Sequence, residues 1–458
     1  MNVGSRNNPV YMPAELVTIL DGQPLRRKLT PNETRDMINF SCRSPFANAT
    51  SISTFGRQVL GLDTSEILRH FGVQIGKSLL TVHGRVLSPP AIVYKDKKKV
   101  NVREGEWNME KVKVVKPGQR IDRWFWILID TWNIANERLN EVEAGVKGWV
   151  DFMRLDQGID IAENDLTCEH KVVVDRYSPA GAIREKFQEM KRHKPQFVFV
   201  VLPGRKTDSL IYNEVKKLGD REFGYASQNV LQQNLLKNKN NLQLWANLGL
   251  KVNMKMGGTN HKLDNEIPIV KQGDTMVVGY DVTHPTNLAG NTKNLPSLVG
   301  MVASIDKELG QWPGVAWKQA GRVEMLDETL TAHFKERIKL FEKHNGRKPR
   351  NIIIFRDGVS EGQFEQVIKI ELPRIRAACE NLYDAQTRPK LALIVSVKRH
   401  QTRFYPTNPN DQLRSRNIMN GTVVDRGVTQ ATTWDFFLTA HKGLQGMFEC
   451  PGYPSVSY

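Results

Sequence analysis

Two short apolar runs that each end on an aspartate constrain the fold of this chain more than any other feature. The first run starts at Val277 and reaches Asp281, and the second starts at Ile352 and reaches Asp357, 76 residues after Asp281. Short apolar runs of this kind are typical of buried strands. We therefore expect two strands of one sheet to deliver carboxylates to its edge, where two carboxylates can share metal ions.

The surrounding elements predict an RNase H-like sheet. The strand-like stretches after residue 265 lie at 275–281, 297–305, 314–320, 351–357 and 390–397. The first three follow one another through short links, and helical sequence follows at 323–345 and 362–384. Three sequential strands, a helix and a strand that carries another acid form the order of an RNase H-like sheet.

The sequence from Trp107 to about Met256 predicts a smaller domain with a parallel sheet. Continuous apolar runs bracket helical sequence, in the order 123–130, 135–156, 180–192 and 196–203. Continuous apolar strands alternating with helices are typical of a Rossmann-like parallel sheet buried on both faces. The overall fold class is therefore α/β, and Gly257-Gly258 is the expected hinge between its two domains.

The N-terminal part reads as connecting sequence. Residues 1–22 hold a short strand-like piece, and the segment that starts at Thr30 predicts a helix, because Thr30, Pro31 and Glu33 have the spacing of a capping box. The stretch 23–106 alternates helical and turn-rich sequence and ends near the lysine run 95–99, which we expect to be a solvated loop.

Composition narrows the function classes. The chain has 458 residues and a net charge of +16, which favours a polyanionic partner such as nucleic acid over a charge that serves only solubility. No apolar stretch has the length of a membrane span, and the first residues lack the apolar core of a secretion signal. The four cysteines are scattered without zinc spacing. We expect the cytoplasm or the nucleus and no membrane partner.

Two groups of residues carry chemistry. Asp281 and Asp357, with Glu324 at the expected start of the helix between them, could bind two hard divalent cations for phosphodiester hydrolysis. Each aspartate alone is equally typical of a turn, and the helix dipole alone favours a glutamate in a first turn.

The second group lies in the smaller domain. Tyr212 and Lys216 share a helix face, Lys251 and Lys255 repeat that spacing, and Gln228 falls between the pairs. These donors suit a terminal phosphate, with the tyrosine stacking on a base. Ordinary solvated lysine faces are the alternative.

Four strings, YDVTHP, FRDGVSEGQF, KRHQTRFY and DFFLTAHKGLQG, together resemble the eukaryotic Argonaute family in a fungal-like form. The resemblance extends to about Gly446. It implies the end of a PAZ domain at 1–22, linker 2 at 23–106, a Rossmann-like MID domain at 107–258 and an RNase H-like PIWI domain at 259–458.

The resemblance also implies roles for individual residues. Asp281 and Asp357 match metal ligands for Mg²⁺ or Mn²⁺, and Glu324 matches the glutamate that completes the active site. The residues that match contacts to the guide 5′ phosphate and first base are Tyr212, Lys216, Gln228, Lys251 and Lys255. Those that match guide-backbone contacts are Lys398, Arg399 and Arg403, for which a solvated surface is the alternative. Residues 203–210 fall where the family reads the first base.

The chain departs from the family after Gly446, where a fourth metal ligand, histidine or aspartate, is expected. Residues 447–458 lack that motif, and Glu449 receives no role. We expect a C-terminally truncated PIWI domain, incomplete after about residue 446, and hypothesise that the last residues are translated intron.

The resemblance implies a monomeric small-RNA-guided silencing protein that binds a guide RNA, its target RNA and silencing-complex proteins. We expect guide binding with cleavage in doubt. An active guide-directed endoribonuclease and a fragment that acts only through protein contacts are the alternatives.

Overall fold

The computed structural model describes residues 2–5, 8–18, 20–22, 29–109, 111–131, 136–166, 170–175, 177–204, 207–236, 242–285, 295–398, 400–431, 434–442 and 455–457. The chain divides into two compact units. One is made chiefly of residues 1–79 and 405–417, and the other chiefly of residues 80–404 and 418–442.

The first unit contains the helices of the connecting sequence. They are α1 (Pro31–Ser41), α2 (Pro45–Thr50), α3 (Arg57–Val59) and α4 (Glu66–His70). The capping box at the start of α1 is confirmed, because Thr30 Oγ1 accepts the Glu33 N–H at 3.3 Å and Glu33 Oε2 accepts the Thr30 N–H at 2.7 Å. The strand-like piece near the N-terminus is an antiparallel bridge between Asn2 and Tyr11.

The second unit begins with three short strands, β1 (Arg85–Val86), β2 (Ile92–Val93) and β3 (Lys99–Val100). The lysine run forms the exposed turn between β2 and β3, as expected. Asp96 and Lys97 in this turn have φ angles of 56° and 57°, in the left-handed region, which is sterically available to single residues in tight turns.

The expected parallel sheet is present between residues 124 and 231. Its elements are β4 (Trp124–Asp130), α5 (Asn136–Phe152), β5 (Lys171–Val173), α6 (Ala180–Lys191), β6 (Phe197–Leu202), α7 (Ser209–Lys217) and β7 (Ala226–Leu231). The strands lie in the order β5-β4-β6-β7 and are all parallel. Two helices, α8 (Gln232–Leu236) and α9 (Leu242–Lys255), complete the domain.

Strand alternation divides the core of this domain into two layers. Trp124 and Trp126 of β4 pack on one face of the sheet, and Phe125 and Ile127 pack on the other. All four side chains are buried. Because β4 is buried on both faces, its sequence is a continuous apolar run, and this run is what allowed the strand to be predicted.

Two side-chain amides, one of them fully buried, fix the junction between the parallel-sheet domain and the next one. Asn253 of α9 is fully buried, accepts the Gly118 N–H at 2.8 Å and donates to Lys116 O and Asn260 Oδ1. Gln311 Nε2 donates to the carbonyls of Met254 and Gly258, at 3.0 Å each. The hinge expected at Gly257-Gly258 is therefore clamped from both sides.

The C-terminal sheet has the order expected from the sequence. After β8 (Lys262–Leu263) and α10 (Pro268–Lys271), its elements are β9 (Thr275–Thr283), β10 (Ser297–Ala303), β11 (Gly314–Gln319), α11 (Thr329–Asn345), β12 (Asn351–Asp357), α12 (Phe364–Gln366), α13 (Leu372–Glu380) and β13 (Lys390–Ser396). Three short strands follow: β14 (Thr422–Val424), β15 (Phe437–Leu438) and β16 (Ser455–Ser457).

The strand order is β11-β10-β9-β12-β13-β16. The pairs β9–β12 and β12–β13 are parallel, and the other neighbours in this sheet are antiparallel.

The register of β9 and β12 explains the acidic edge. Tyr280 pairs with Arg356, and both side chains are buried. Because successive side chains of a strand point to opposite faces, Asp281 and Asp357 emerge side by side on the other face. The sequence prediction of two strand-end carboxylates on one sheet edge is confirmed.

Two helix predictions were wrong at their boundaries. The helix expected from residue 323 begins at Thr329, so Glu324 lies in the preceding loop and not in a first helical turn. Gln319 Nε2 donates to Val323 O and Arg356 Nη2 donates to Glu324 O, which satisfies these carbonyls outside a helix. The helix expected at 362–384 ends earlier, at Glu380, and is interrupted by a π-helical segment at Val367–Glu371, just ahead of Pro373, whose ring disfavours a regular helix there.

Among the described residues, no helix is long and apolar enough to cross a membrane.

Candidate active site and phosphate pocket

A cleft of about 420 Å³ opens at the ends of β9, β12 and β13. Its lining includes Asp281, Asp357, Ser396 and Lys398. Gly300 lies directly across from Asp281 in the β9–β10 register and leaves open space above the sheet at that position. The cleft therefore exposes both aspartates to ligands.

Asp357 already has a cationic partner. Lys398 Nζ lies 2.5 Å from Asp357 Oδ2. Asp357 pairs with Ser396 in the β12–β13 register, and Lys398 follows two residues later. The Lys398 side chain is 62% exposed and that of Asp357 is 32% exposed. A positive group thus occupies the carboxylate to which the sequence assigned a metal.

Glu324 approaches the same region from its loop. Its Oε2 hydrogen-bonds to His284 Nε2 at 2.7 Å, and His284 Nδ1 contacts Ser297 Oγ at 2.8 Å. Arg356 Nη1 lies 2.9 Å from Glu324 Oε1, but the angle is not that of a hydrogen bond. Oε1 is buried and has no hydrogen-bond partner among the described residues.

Gly358 lies where the acidic groups converge. Its φ is +91°, and a Cβ there would lie 2.8 Å from Asp281 Oδ1 and 3.6 Å from Glu324 Oε1. Any side chain at this position would meet both carboxylates, and its backbone conformation favours glycine. The glycine that follows Asp357 keeps the space between the carboxylates clear.

These groups fit a divalent cation in part. Asp281 and Asp357 are neighbouring carboxylates, and the ammonium of Lys398 stands on one of them as a cation would. Glu324 Oε1 accepts no hydrogen bond from the described residues, but it is ion-paired with Arg356. Within the part of the chain that the structure describes, no three acidic, histidine or cysteine side chains are close enough to hold an ion as they stand. The metal ligands stay a prediction.

A buried network behind the cleft was missed in the sequence. Arg356 is fully buried and donates to both oxygens of the equally buried Glu371, at 3.0 and 3.1 Å. It also donates to the carbonyls of Glu324 and Asp357. Glu371 accepts from Tyr280 Oη at 3.0 Å. The sequence does contain a signal for this network: an arginine directly before Asp357, at a position of an apolar strand whose side chain points to the buried face.

The charges in this network reinforce one another. Burial lowers the pKa of Arg356, but the neighbouring Glu371 outweighs burial, and the net result is a raised pKa. Burial raises the pKa of Tyr280 well above its ordinary value, and Glu371 adds to that shift. Arg356 therefore stays charged, and it supports both the loop of Glu324 and the backbone of Asp357.

The sequence-predicted phosphate pocket comes together at the ends of α7, β7 and α9. Lys255 Nζ donates to Gln228 Oε1 at 3.0 Å and to Ser227 O. Lys216 Nζ donates to Ser227 Oγ at 3.2 Å and pairs with Asp220 at 2.9 Å. The two lysines thus meet on Ser227, which is buried.

The ammonium of Lys255 is the most perturbed cation of this pocket. Burial lowers its pKa to about 8, with further lowering from Lys216 and Lys251 and an opposing effect from Asp220. Much of the Lys255 stem is exposed, but its ammonium lies against the buried Ser227 and Gln228, which explains the desolvation.

The remaining predicted residues are placed as follows. Lys251 lies one turn before Lys255 on α9, and Tyr212 lies one turn before Lys216 on α7 with 38% of its surface exposed. Arg403 donates to His400 O and Thr402 O. Arg399 and part of the 203–210 loop lie outside the described residues. Their RNA contacts stay predictions.

Comparison with known proteins gives two family matches. The Piwi domain family matches residues 197–456, and the Argonaute linker 2 domain family matches residues 47–94. Among curated relatives, "Protein argonaute 18" of Oryza sativa subsp. japonica is 32% identical over 97% of this chain and 41% of its own length. "Protein argonaute 1B" of the same organism has the same identity and coverage.

Solved structures agree with these matches. Kluyveromyces polysporus Argonaute with a guide RNA has a TM-score of 0.75 and 25% identity, over 98% of this chain and 55% of the other. The N. crassa QDE-2 AGO MID-PIWI domains are 38% identical with a TM-score of 0.52, over 62% and 76%. Drosophila Piwi, at 20% identity and a TM-score of 0.74 over 93% and 55%, shares the fold.

The match over residues 197–456, more than half of the chain, makes this a Piwi-domain protein. The chain belongs to the Argonaute family, and the resemblance found in the sequence is confirmed. It spans about two-fifths of the length of the curated relatives. The Piwi match continues to residue 456, and β16 adds a short strand beside β13.

Proposed function

We propose that this chain binds the 5′-phosphorylated end of a small guide RNA and carries the guide and its target RNA along the C-terminal sheet, in small-RNA-guided silencing. The phosphate pocket is the observation that carries the proposal. Lys216 and Lys255 meet on Ser227. Burial first, and then the charges of Lys216 and Lys251, lower the pKa of Lys255 to about 8, and Asp220 opposes this shift. A phosphate dianion would relieve that repulsion and stabilise all three charged lysines.

The comparisons and the charge of the chain support this choice of ligand. The structure of Kluyveromyces polysporus Argonaute includes a guide RNA, and its fold extends over 98% of this chain. The net charge of +16 suits a long polyanion.

We place the protein in the cytoplasm or the nucleus, as a monomer that joins silencing-complex proteins.

Binding of the 5′ end is tested with two RNAs that differ only in a 5′ phosphate or a 5′ hydroxyl. We expect the phosphate to improve affinity about 10- to 100-fold, since even one hydrogen bond to a charged group contributes roughly 1.5–3 kcal/mol. Fluorescence anisotropy should show that Lys255→Gln or Lys216→Gln removes this preference. Lys217→Gln is the matched control, because Lys217 is on the same helix and pairs with Glu214 and Glu222. Equal affinity of the wild-type chain for both RNAs would refute the proposal and favour a protein-interaction role.

Target cleavage is the second candidate, favoured by Asp281 and Asp357 in one cleft and by Glu324, whose Oε1 accepts no hydrogen bond within the described part of the chain although it is ion-paired with Arg356. Asp281 and Asp357 would hold Mg²⁺ or Mn²⁺, and His284 and Arg356 would orient Glu324. Bound ions would generate the attacking hydroxide and stabilise the leaving oxygen. Lys398 occupies Asp357 and Arg356 pairs with Glu324 in this structure, so we place guide binding first.

Cleavage is tested with a guide-loaded chain, a complementary target and Mg²⁺ or Mn²⁺. A single cut that disappears in Asp281→Asn and Asp357→Asn would establish the endonuclease. Intact target, together with 5′-phosphate-dependent guide binding, would leave the chain as a guide-binding protein without cleavage.

A further inference from the structure

We propose that Lys398 is a displaceable counter-cation of the acidic cleft, which occupies Asp357 until a divalent ion replaces it. The inference rests on the proposed function, since it needs the metal site at Asp281 and Asp357. It assigns to Lys398 a second partner beyond the guide-backbone contact that the family resemblance implies.

The position of Lys398 supports this role. Its Nζ contacts Oδ2 of Asp357, the carboxylate that borders Asp281, and both aspartates line the same cleft as Lys398. Two adjacent carboxylates without a cation repel one another. The ammonium of Lys398 on Asp357 offsets part of that repulsion in the chain without metal.

Lys398 and a metal ion exclude one another on Asp357. A Mg²⁺ ion binds carboxylate oxygens at about 2.0–2.1 Å, and the ammonium already lies 2.5 Å from Oδ2. A divalent ion on that carboxylate would lie within a few ångströms of the ammonium, where like charges repel strongly. Binding of the ion must therefore move Lys398 away.

The pair is also built to release. Lys398 is 62% exposed, so its ammonium can return to water at low cost. Exposed ion pairs contribute up to about fivefold in an equilibrium constant. The lysine therefore weakens metal binding without preventing it.

Guide RNA provides the second half of the mechanism. If a guide phosphate draws Lys398 away, Asp357 becomes available to the ion, and by linkage metal binding makes Lys398 available to the guide. Guide loading and metal binding are then coupled through one side chain.

The test measures Mn²⁺ binding to the RNA-free chain by calorimetry and by the electron paramagnetic resonance of free Mn²⁺. We expect Lys398→Met to tighten Mn²⁺ binding about fivefold, and Lys398→Arg, which keeps the charge, to leave it close to wild type. Lys390→Met is the matched control, because Lys390 is an exposed lysine at the start of β13, whereas Lys398 lies just beyond its end.

The outcomes separate the two ideas. If Asp357→Asn weakens Mn²⁺ binding but Lys398→Met leaves it unchanged, the proposed role of Lys398 as counter-cation is wrong, while the metal site at Asp357 is supported. If Mn²⁺ binds neither to the wild-type chain nor to Lys398→Met, or if Asp357→Asn has no effect, the metal site fails and the counter-cation with it.

A 5′-phosphorylated RNA completes the experiment. It should strengthen Mn²⁺ binding to the wild-type chain and have little effect on Mn²⁺ binding to Lys398→Met. Equal strengthening in both chains would overturn the coupling through Lys398.

Discussion

At the scale of single residues, the acidic edge of the C-terminal sheet depends on two dipeptides, Tyr280-Asp281 and Arg356-Asp357. In each, the first side chain is buried and the second lies at the cleft. Because side chains alternate along a strand, a slip of one residue in register would bury the aspartates and expose the arginine. The charged network under the sheet therefore helps to fix which residues face the ligand.

Removal of Arg356 should destabilise the chain strongly. Arg356→Met leaves the fully buried Glu371 without its cation, and a lost partner in a buried ion pair costs about 3–5 kcal/mol. We expect a clear fall in the thermal unfolding midpoint. The double variant Arg356→Met, Glu371→Met should recover part of the loss, because no unpaired charge is left behind. An unchanged midpoint in Arg356→Met would contradict the role of the pair.

Lys255 should make guide binding dependent on pH. Its pKa in the folded chain is about 8, below the roughly 10.4 of an unperturbed lysine. Between these two pH values the unfolded chain binds more protons than the folded chain, so the free energy of unfolding increases as pH rises through that window. Below the window Lys255 is charged in both states, and its burial lowers the free energy of unfolding.

The bound phosphate favours the charged lysine, so its affinity should fall as pH rises above about 8. Anisotropy titrations from pH 7 to above pH 9 measure this trend. Lys255→Arg should flatten the profile, because arginine stays charged. A wild-type profile as flat as that of the variant would show that Lys255 does not contact the phosphate.

At the scale of elements, sequence patterns predicted the strands, whereas tertiary contacts determine where the helices begin and how they are interrupted. Strands such as β4, β6 and β12 were predicted within one residue because their continuous apolar runs reflect burial. The start of α11 was misplaced because Gln319 and Arg356 bind the carbonyls before it. Local sequence carries no trace of such partners.

The candidate site follows the same rule. Asp281 and Asp357 could be placed together because adjacent parallel strands deliver their ends to one edge. The pairing of Arg356 with Glu371 depends on the path of the chain through the broken helix, and the contact of Lys398 with Asp357 depends on the β12–β13 register. Neither pairing could be derived from spacing.

Gln311 should act as a clamp on the last turn of α9. Gln311→Ala removes two hydrogen bonds, to Met254 O and Gly258 O, and should cost about 1–2 kcal/mol. Because Met254 precedes Lys255, we also expect a weaker preference for the 5′ phosphate. Thermal unfolding and anisotropy measure the two effects, and Gln386→Ala, at an exposed glutamine, is the control. A loss of stability with an intact phosphate preference would limit Gln311 to a structural role.

At the scale of the whole molecule, the net charge of +16 should set the salt dependence of RNA binding. Contacts to about four phosphates of a single strand would reduce affinity roughly 50-fold between 50 and 200 mM salt. Affinities of a 5′-phosphorylated RNA across that range test the prediction. A flat response would mean that base or stacking contacts, and not phosphates, hold the RNA.

The clamped junction has a mechanical consequence. Asn253 and Gln311 tie the end of α9 to the chain on both sides of the Gly257-Gly258 turn. The lysine pocket and the acidic cleft are thereby joined by a segment that resists bending. Under the proposed function this rigid segment would fix the distance, in nucleotides, between the bound 5′ end and the cleft. If it were loosened, any cut would fall at a less uniform position.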